Sequence, residues 1–218
     1  MARVKIGNVF PTDEYLLARC APAGHGLGGD LPIVDKAGLD NWTSSGWRIY
    51  YDEINPDSTL GSVAFVNCKG NNSSITGAVV QEAYKQDRYG VNILTREYTG
   101  GEWEPWEWFN PPMQVGVEYR TTERWQGKPV YYKVVDFGGL PNATTATVPI
   151  GAENIEWVFL DLSKSWAGPA SNLTTNYMTN WANITDMIVS NGQISITTNA
   201  NMTGTLAYIT VKYTKTTD

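Results

Sequence analysis

The sequence predicts an all-β protein built from short antiparallel strands, with few short helical turns. Aromatic residues make up 12% of the 218 positions and charged residues only 17%, with Gly, Ser, Thr and Asn filling much of the remainder. That mixture is too apolar for disorder and suits strands joined by turns. Runs rich in β-branched and aromatic residues recur along the chain, each bounded by Gly, Pro or Asn. No heptad run, collagen-like Gly-X-Y stretch or internal repeat is present. The length allows one large β domain or two smaller ones.

Residues 1–11 contain a brief extended piece, RVKIGNVF, ended by Pro11. TDEYLLAR (12–19) reads as one or two helical turns, with Thr12 placed to cap and acidic residues in the first turn. APAGHGLGGD (21–30) is a loop, because its Gly and Pro residues permit no regular element. Leu39 and Trp42 mark a short turn packed on a core. GWRIYYD, SVAFVNCK, ITGAVVQEAY and YGVNILTREY are four strands of an antiparallel meander. In SVAFVNCK the apolar set falls on both faces, which predicts burial of both. YGVNILTREY sets Val91, Ile93 and Thr95 against Asn92, Leu94 and Arg96.

The stretch 98–142 holds four of the nine tryptophans, Trp103, Trp106, Trp108 and Trp125, among turn-forming residues. Pro105, Pro111 and Pro112 keep its first part off a central strand, so it lies along an edge or caps a sheet. Structural use of these rings is favoured over sugar stacking. MQVGVEY (113–119) and KPVYYKVVDF (128–137) are further strands, and GGLPNATT (138–145) is a loop. Beyond it, IEWVFLDL (155–162) is apolar on both faces, so it is either central or meets another subunit. SKSWAGPASNLTTNYMTNWAN (163–183) is a long polar loop. ITDMIV, QISIT and TLAYITVKY complete a sheet. Spare apolar faces on two of these strands point to self-association.

A net charge of −6 with no Lys/Arg run argues against nucleic acid as a partner. The first residues lack a signal-peptide apolar stretch and no later run approaches a membrane span, which places synthesis and folding in a cytoplasm without membrane insertion. Without an export signal, Cys20 and Cys68 read as buried free thiols. His25 has only Cys20 near it, too few ligands for zinc, and no metal site is expected. Seven N-x-S/T sequons are compositional accidents of an Asn/Thr-rich chain.

Glu102, Glu104 and Glu107 raise the question of a glycosidase, which needs two carboxyls flanking a bond. Their spacing around Pro105 does not establish one. Solvation of an aromatic edge is the favoured reading, and neither Glu118 nor Asp136 is singled out as a partner. No G-x-S-x-G motif exists, so no catalytic residue is assigned. The candidate ligand-binding residues are Trp166, Tyr177 and Trp181 with Asn172, Asn176 and Asn180. They combine rings in a polar loop with amides able to donate to and accept from sugar hydroxyls. Those rings divide between core and surface.

KIGNVFPTDEYLLARCAPAGHGLGG, TGGEWEPWEWF and above all YRTTERWQGKPVYYKVVDFGGLPN resemble tail-fibre proteins of phages and prophages of Gram-positive bacteria. Residues 38–109 resemble a pyocin-knob-like module closing on a G-x-W-x-x-W edge, here Gly101, Trp103 and Trp106. WQGKPVYYKVVDFGGLPN (125–142) resembles the strand linker before a C-terminal head, and TLAYITVKYTKTTD resembles that head's last strand. The resemblance implies an N-terminal segment and knob-like module over 1–112, a strand linker over 113–141, and a β-sandwich head over 142–218. It further implies a homotrimer at the tip of a virion tail fibre, assembled in the host cytoplasm and joined to upstream fibre or baseplate proteins. The function it implies is non-enzymatic binding, without cofactor, to a surface polysaccharide or teichoic polymer during host adsorption. A fibre-borne depolymerase and a purely structural trimerising end are the alternatives.

Overall fold

A computed structural model describes residues 31–54, 56–70, 79–87, 90–99, 101–169 and 183–218. The expected helical turns at 12–19, the loop at 21–30, Cys20 and His25 lie outside them. The chain divides into two compact units at Trp106/Glu107, and both are β-rich, as the composition predicts. No helix among the described residues is long and apolar enough to cross a membrane.

The first unit contains β1 (Ile33–Val34), α1 (Lys36–Asp40), β2 (Gly46–Tyr51), β3 (Val63–Gly70), β4 (Val79–Asp87), β5 (Gly90–Thr99) and β6 (Glu102–Trp103). Strands β2 to β5 form the expected antiparallel meander, β1 adds in parallel to β2, and β6 pairs with β5. Helix α1 starts at Asp35, whose carboxylate accepts from Gly38 N at 2.7 Å. It lays Leu39 on the sheet, and Trp42 follows; both are buried.

One expectation about this sheet needs correction. In β3 only Ala64, Val66 and Cys68 are fully buried, while Val63, Phe65 and Asn67 are half-buried. Cys68 is a buried free thiol. In β5 the polar-looking set goes inside: Asn92, Leu94 and Arg96 are buried, whereas Val91 is 58% exposed. The reason is a polar network that satisfies the buried groups. Gln81 Nε2 donates to the carbonyls of Leu39 and Trp42, both at 3.0 Å, and its Oε1 accepts from Arg96 Nε at 2.9 Å. The Arg96 guanidinium lies between the rings of Trp103 (4.6 Å) and Trp106 (4.5 Å). Its Nη2 lies 2.9 Å from Asp40 Oδ1 as an ion pair, off the line of a hydrogen bond. Trp103 Nε1 completes the group by donating to Asp40 O at 2.7 Å. The tryptophans of the G-x-W-x-x-W edge are therefore clamps on a buried cation.

The second unit contains β7 (Glu107–Trp108), β8 (Glu118–Trp125), β9 (Lys128–Gly139), β10 (Thr145–Pro149), β11 (Ile155–Leu160), a 3-10 turn (Leu162–Lys164), β12 (Trp166–Pro169), β13 (Ile184–Ser190), β14 (Gln193–Thr198) and β15 (Thr205–Lys215). One sheet has the order β7-β8-β9-β15-β11, with β12 also on β15; the other is β10-β14-β13. The C-terminal strands are thus divided between two sheets instead of completing one. Ile194 and Ile196 of β14 pack against Tyr131, Val135 and Phe137 of β9 and Ala207, Ile209, Val211 and Tyr213 of β15, making a sandwich core. The stretch expected as a strand linker supplies β8 and β9, and β9 pairs along β15 inside this unit.

Two hairpins fix the registers. Gln126–Gly127 and Asn191–Gly192 both take positive φ at both residues, 50° and 84°, then 50° and 72°. That is the type I′ requirement for a two-residue hairpin. Strand β11 pairs with β15 alone among the described residues, so it is an edge strand and not a central one. Its Trp157 is 48% exposed.

Candidate functional site

The outer face of the β8-β9-β15 sheet, opposite the sandwich core, carries rings and charges side by side. Alternation along β15 produces it: Ala207, Ile209 and Val211 enter the core, so Tyr208, Thr210 and Lys212 face outward. Trp166 pairs with Tyr208, and Ala167 beside it pairs with Ala207. The buried Ala167 sends Trp166 to the outer face, where its ring stands 5.8 Å from Tyr208 at 40°. Both rings are half-buried. Asp136 of β9 pairs with Tyr208 from the other side.

Trp166 is therefore a strand residue and not part of a loop, which corrects the expectation for 163–169. Ser163 and Lys164 sit in the 3-10 turn, and residues 166–169 find a free length of β15 edge to pair with. Tyr177, Trp181, Asn172, Asn176 and Asn180 lie outside the described residues.

Between β11 and β12 the chain detours around Thr210 without stranding polar groups. Asp161 N donates to Thr210 O at 2.9 Å, Thr210 N donates to Ser165 Oγ at 2.8 Å, and Thr210 Oγ1 donates to Lys164 O at 2.7 Å. The detour brings Lys164 Nζ to 4.6 Å from the Tyr132 ring centroid, where Lys212 Nζ also lies at 4.4 Å. Lys212 is paired with Glu123 at 3.1 Å and Asp161 at 3.4 Å. Tyr132 Oη donates to Glu123. Phe159 pairs with Lys212 and stands edge-on to Trp125 at 4.8 Å. The face is thus a strip: Trp166 and Tyr208, then a balanced set of two cations and two carboxylates, then Phe159 and Trp125. Tyr208 and Lys212 are four residues apart, about 13 Å along the strand. Trp125, expected to be structural, is 40% exposed and helps to end the strip.

Burial opposes charge on the two carboxylates, but it is outweighed. The Tyr132 and Lys212 hydrogen bonds hold Glu123 below the usual range, and Ser163 with Lys212 does the same for Asp161. Burial pushes the Tyr132 hydroxyl up to about 12, helped by Glu123. Tyr131, in the sandwich core, is also raised to about 12 by burial, with Arg120 opposing and Asp218 adding. For both tyrosines the fold favours the neutral form. Their contribution to stability is intact below about pH 10, where unfolded tyrosines ionise, and is lost as pH rises toward 12. Spectrophotometric titration should show these two of the 12 tyrosines, with Tyr213 and Tyr50 that burial also raises, ionising late and together with unfolding. A single titration step near pH 10 for all of them would contradict this.

Most of the carboxylates weighed as catalytic have other work. Glu107 is buried and accepts from Arg120 Nε at 3.0 Å and from Arg124 Nη2 at 2.8 and 2.9 Å. Glu104 accepts from Thr99 Oγ1 at 3.1 Å, and Glu102 is exposed. Glu118 accepts from Tyr213 Oη and from Lys215 Nζ, the latter at 2.6 Å. Asp136 Oδ1 accepts from Gly138 N at 2.9 Å. Among the described residues no group of three His, Cys, Asp or Glu side chains is arranged to hold a metal. The charged centre of the strip escaped sequence reading because Glu123, Tyr132, Asp161 and Lys212 come from four separate segments.

No protein-family model and no curated protein matches the chain. Among solved structures it is similar to an N-truncated R2-type pyocin tail fibre, at 10% identity and a TM-score of 0.24, covering 84% of this chain and 94% of that one. It is also similar to a C-terminal portion of the R1 pyocin fibre of P. aeruginosa, at 9% identity and the same TM-score, covering 84% of this chain and 65% of that one.

Proposed function

We propose that this chain is the distal region of a phage tail fibre that binds a bacterial surface polysaccharide or teichoic polymer without cleaving it. The observation that carries the reading is the outer strip of the second unit, where half-buried Trp166 and Tyr208 border paired charges on a rigid sheet. Aromatic faces take the C–H faces of sugar rings, and flanking polar groups fix their orientation. The carboxylates near the tryptophan-rich stretch are largely committed to N–H and O–H donors, which favours binding over hydrolysis. The tail-fibre context rests on the resemblance of the 119–142 segment.

Single sites of this kind are shallow, so firm adsorption needs several copies. A homotrimer supplies them, and the half-exposed Trp157 on edge strand β11 offers apolar surface for it. Light scattering should give the mass of three chains. Replacing Trp166 and Tyr208 together by Ala should weaken binding to host cell walls at least tenfold while leaving the circular dichroism unchanged. Unaltered wall binding by the folded double variant would refute the assignment, and sugar release from the walls would replace it with a depolymerase.

A further inference from the structure

The first unit carries a second aromatic platform that the reading above does not use. On the face of the β2–β5 meander opposite its core, Trp47 of β2 leans across β3 toward Tyr84 of β4. Their ring centroids are 5.7 Å apart and the planes differ by 31°. Asn67 pairs with both Trp47 and Glu82, and Phe65 pairs with Tyr84, so these residues share the outward face. Trp47, Phe65, Asn67 and Tyr84 are all half-buried. Beside the rings, Lys69 Nζ lies 2.5 Å from Glu82 Oε1, and Tyr84 Oη donates to Glu82 Oε2 at 3.4 Å.

Most of the core of this unit lies away from these rings, although Ile49, paired with Phe65, is buried on their own face. That larger part is formed on the other face by Tyr50, Val66, Ala83 and Leu94, under Leu39 and Trp42. Two partly accessible rings side by side offer a flat apolar surface that a ligand can cover. The polar groups at its margin select what that ligand is. Asn67 offers an amide donor and acceptor, Glu82 two acceptor oxygens, and Lys69 spare N–H donors. Such a shallow two-ring floor with donors and acceptors at one side fits a hexopyranose, stacked through its C–H face and held through hydroxyl or acetamido groups.

We infer that Trp47 and Tyr84, with Asn67, Glu82 and Lys69, form a second sugar-binding site, for a neutral or N-acetylated hexopyranose unit of a wall glycan. The choice of a wall glycan rests on the proposed function; the platform itself does not. Two sites in one chain would let the protein hold one polymer at two points.

The test is titration of the full chain with N-acetylglucosamine tetrasaccharide and, in parallel, maltotetraose, followed by tryptophan fluorescence and NMR. Trp47→Ala and Asn67→Ala, each made in the Trp166/Tyr208 double variant so that only this platform is read, should weaken the remaining binding at least tenfold. The Asn67 change leaves both rings and the core untouched, so it reads the site even if Trp47→Ala unfolds. No binding of either sugar to the unaltered protein at millimolar concentration would overturn the inference, as would unchanged binding in both variants. A lower solution mass for Trp47→Ala, with sugar binding unchanged, would instead give this face to a second copy of the chain. Failure of wall binding in the Trp166/Tyr208 variant bears on the proposed function alone.

Discussion

Replacing Arg96 with alanine should destabilise the first unit by about 3 kcal/mol, the low end for breaking a buried ion pair because Asp40 is partly exposed. The guanidinium is held by Gln81 Oε1, by Asp40 and by two indole faces. Its removal leaves the Gln81 oxygen without this donor, uncovers both rings and opens a cavity between them. Burial pulls the guanidinium down from its usual pKa while Asp40 pulls it back, so it stays charged where it sits. Lysine keeps the charge but cannot lie flat between two rings while bridging to Gln81, so Arg96→Lys should recover only about half of the loss. Hydrogen exchange separates the two units. Amides of β4 and β5 should lose protection by roughly a hundredfold in Arg96→Ala, while those of β9 and β15 hold theirs. A loss under about threefold in β4 and β5 would mean that the ring sandwich contributes little.

Glu107→Ala should cost the second unit about 2–3 kcal/mol, because it strips one carboxylate from two arginines. Glu107 is 8% exposed at its side chain and Arg120 17%, whereas Arg124 is 43% exposed. The larger part of the loss therefore comes from Arg120, which keeps Asp218 at 3.1 Å. Glu107→Gln preserves shape and some hydrogen bonding, so it should cost about half as much. Urea denaturation read by exchange in β8 and β9 measures both. If alanine and glutamine prove equally mild, below about 0.5 kcal/mol, Glu107 is not a structural anchor and its place among catalytic candidates reopens.

Much of this protein was determined by local sequence. Alternation and turn residues alone specify the β2–β5 meander and the inward Ala207, Ile209, Val211 and Tyr213 row, because each depends only on neighbours along the chain; they misplace β8, which runs over Glu118–Trp125 and not over 113–119. The tertiary structure decided what depends on distant partners. It buried Asn92 and Arg96 in preference to Val91, since Gln81, Asp40, Trp103 and Trp106 converge there to satisfy them. It placed Trp166 on a strand, since the edge of β15 still had backbone groups to pair. It also joined Glu123, Tyr132, Asp161 and Lys212 into one charged cluster. Periodicity cannot foresee such choices, because a buried polar group is tolerated only where partners from elsewhere in the chain meet it.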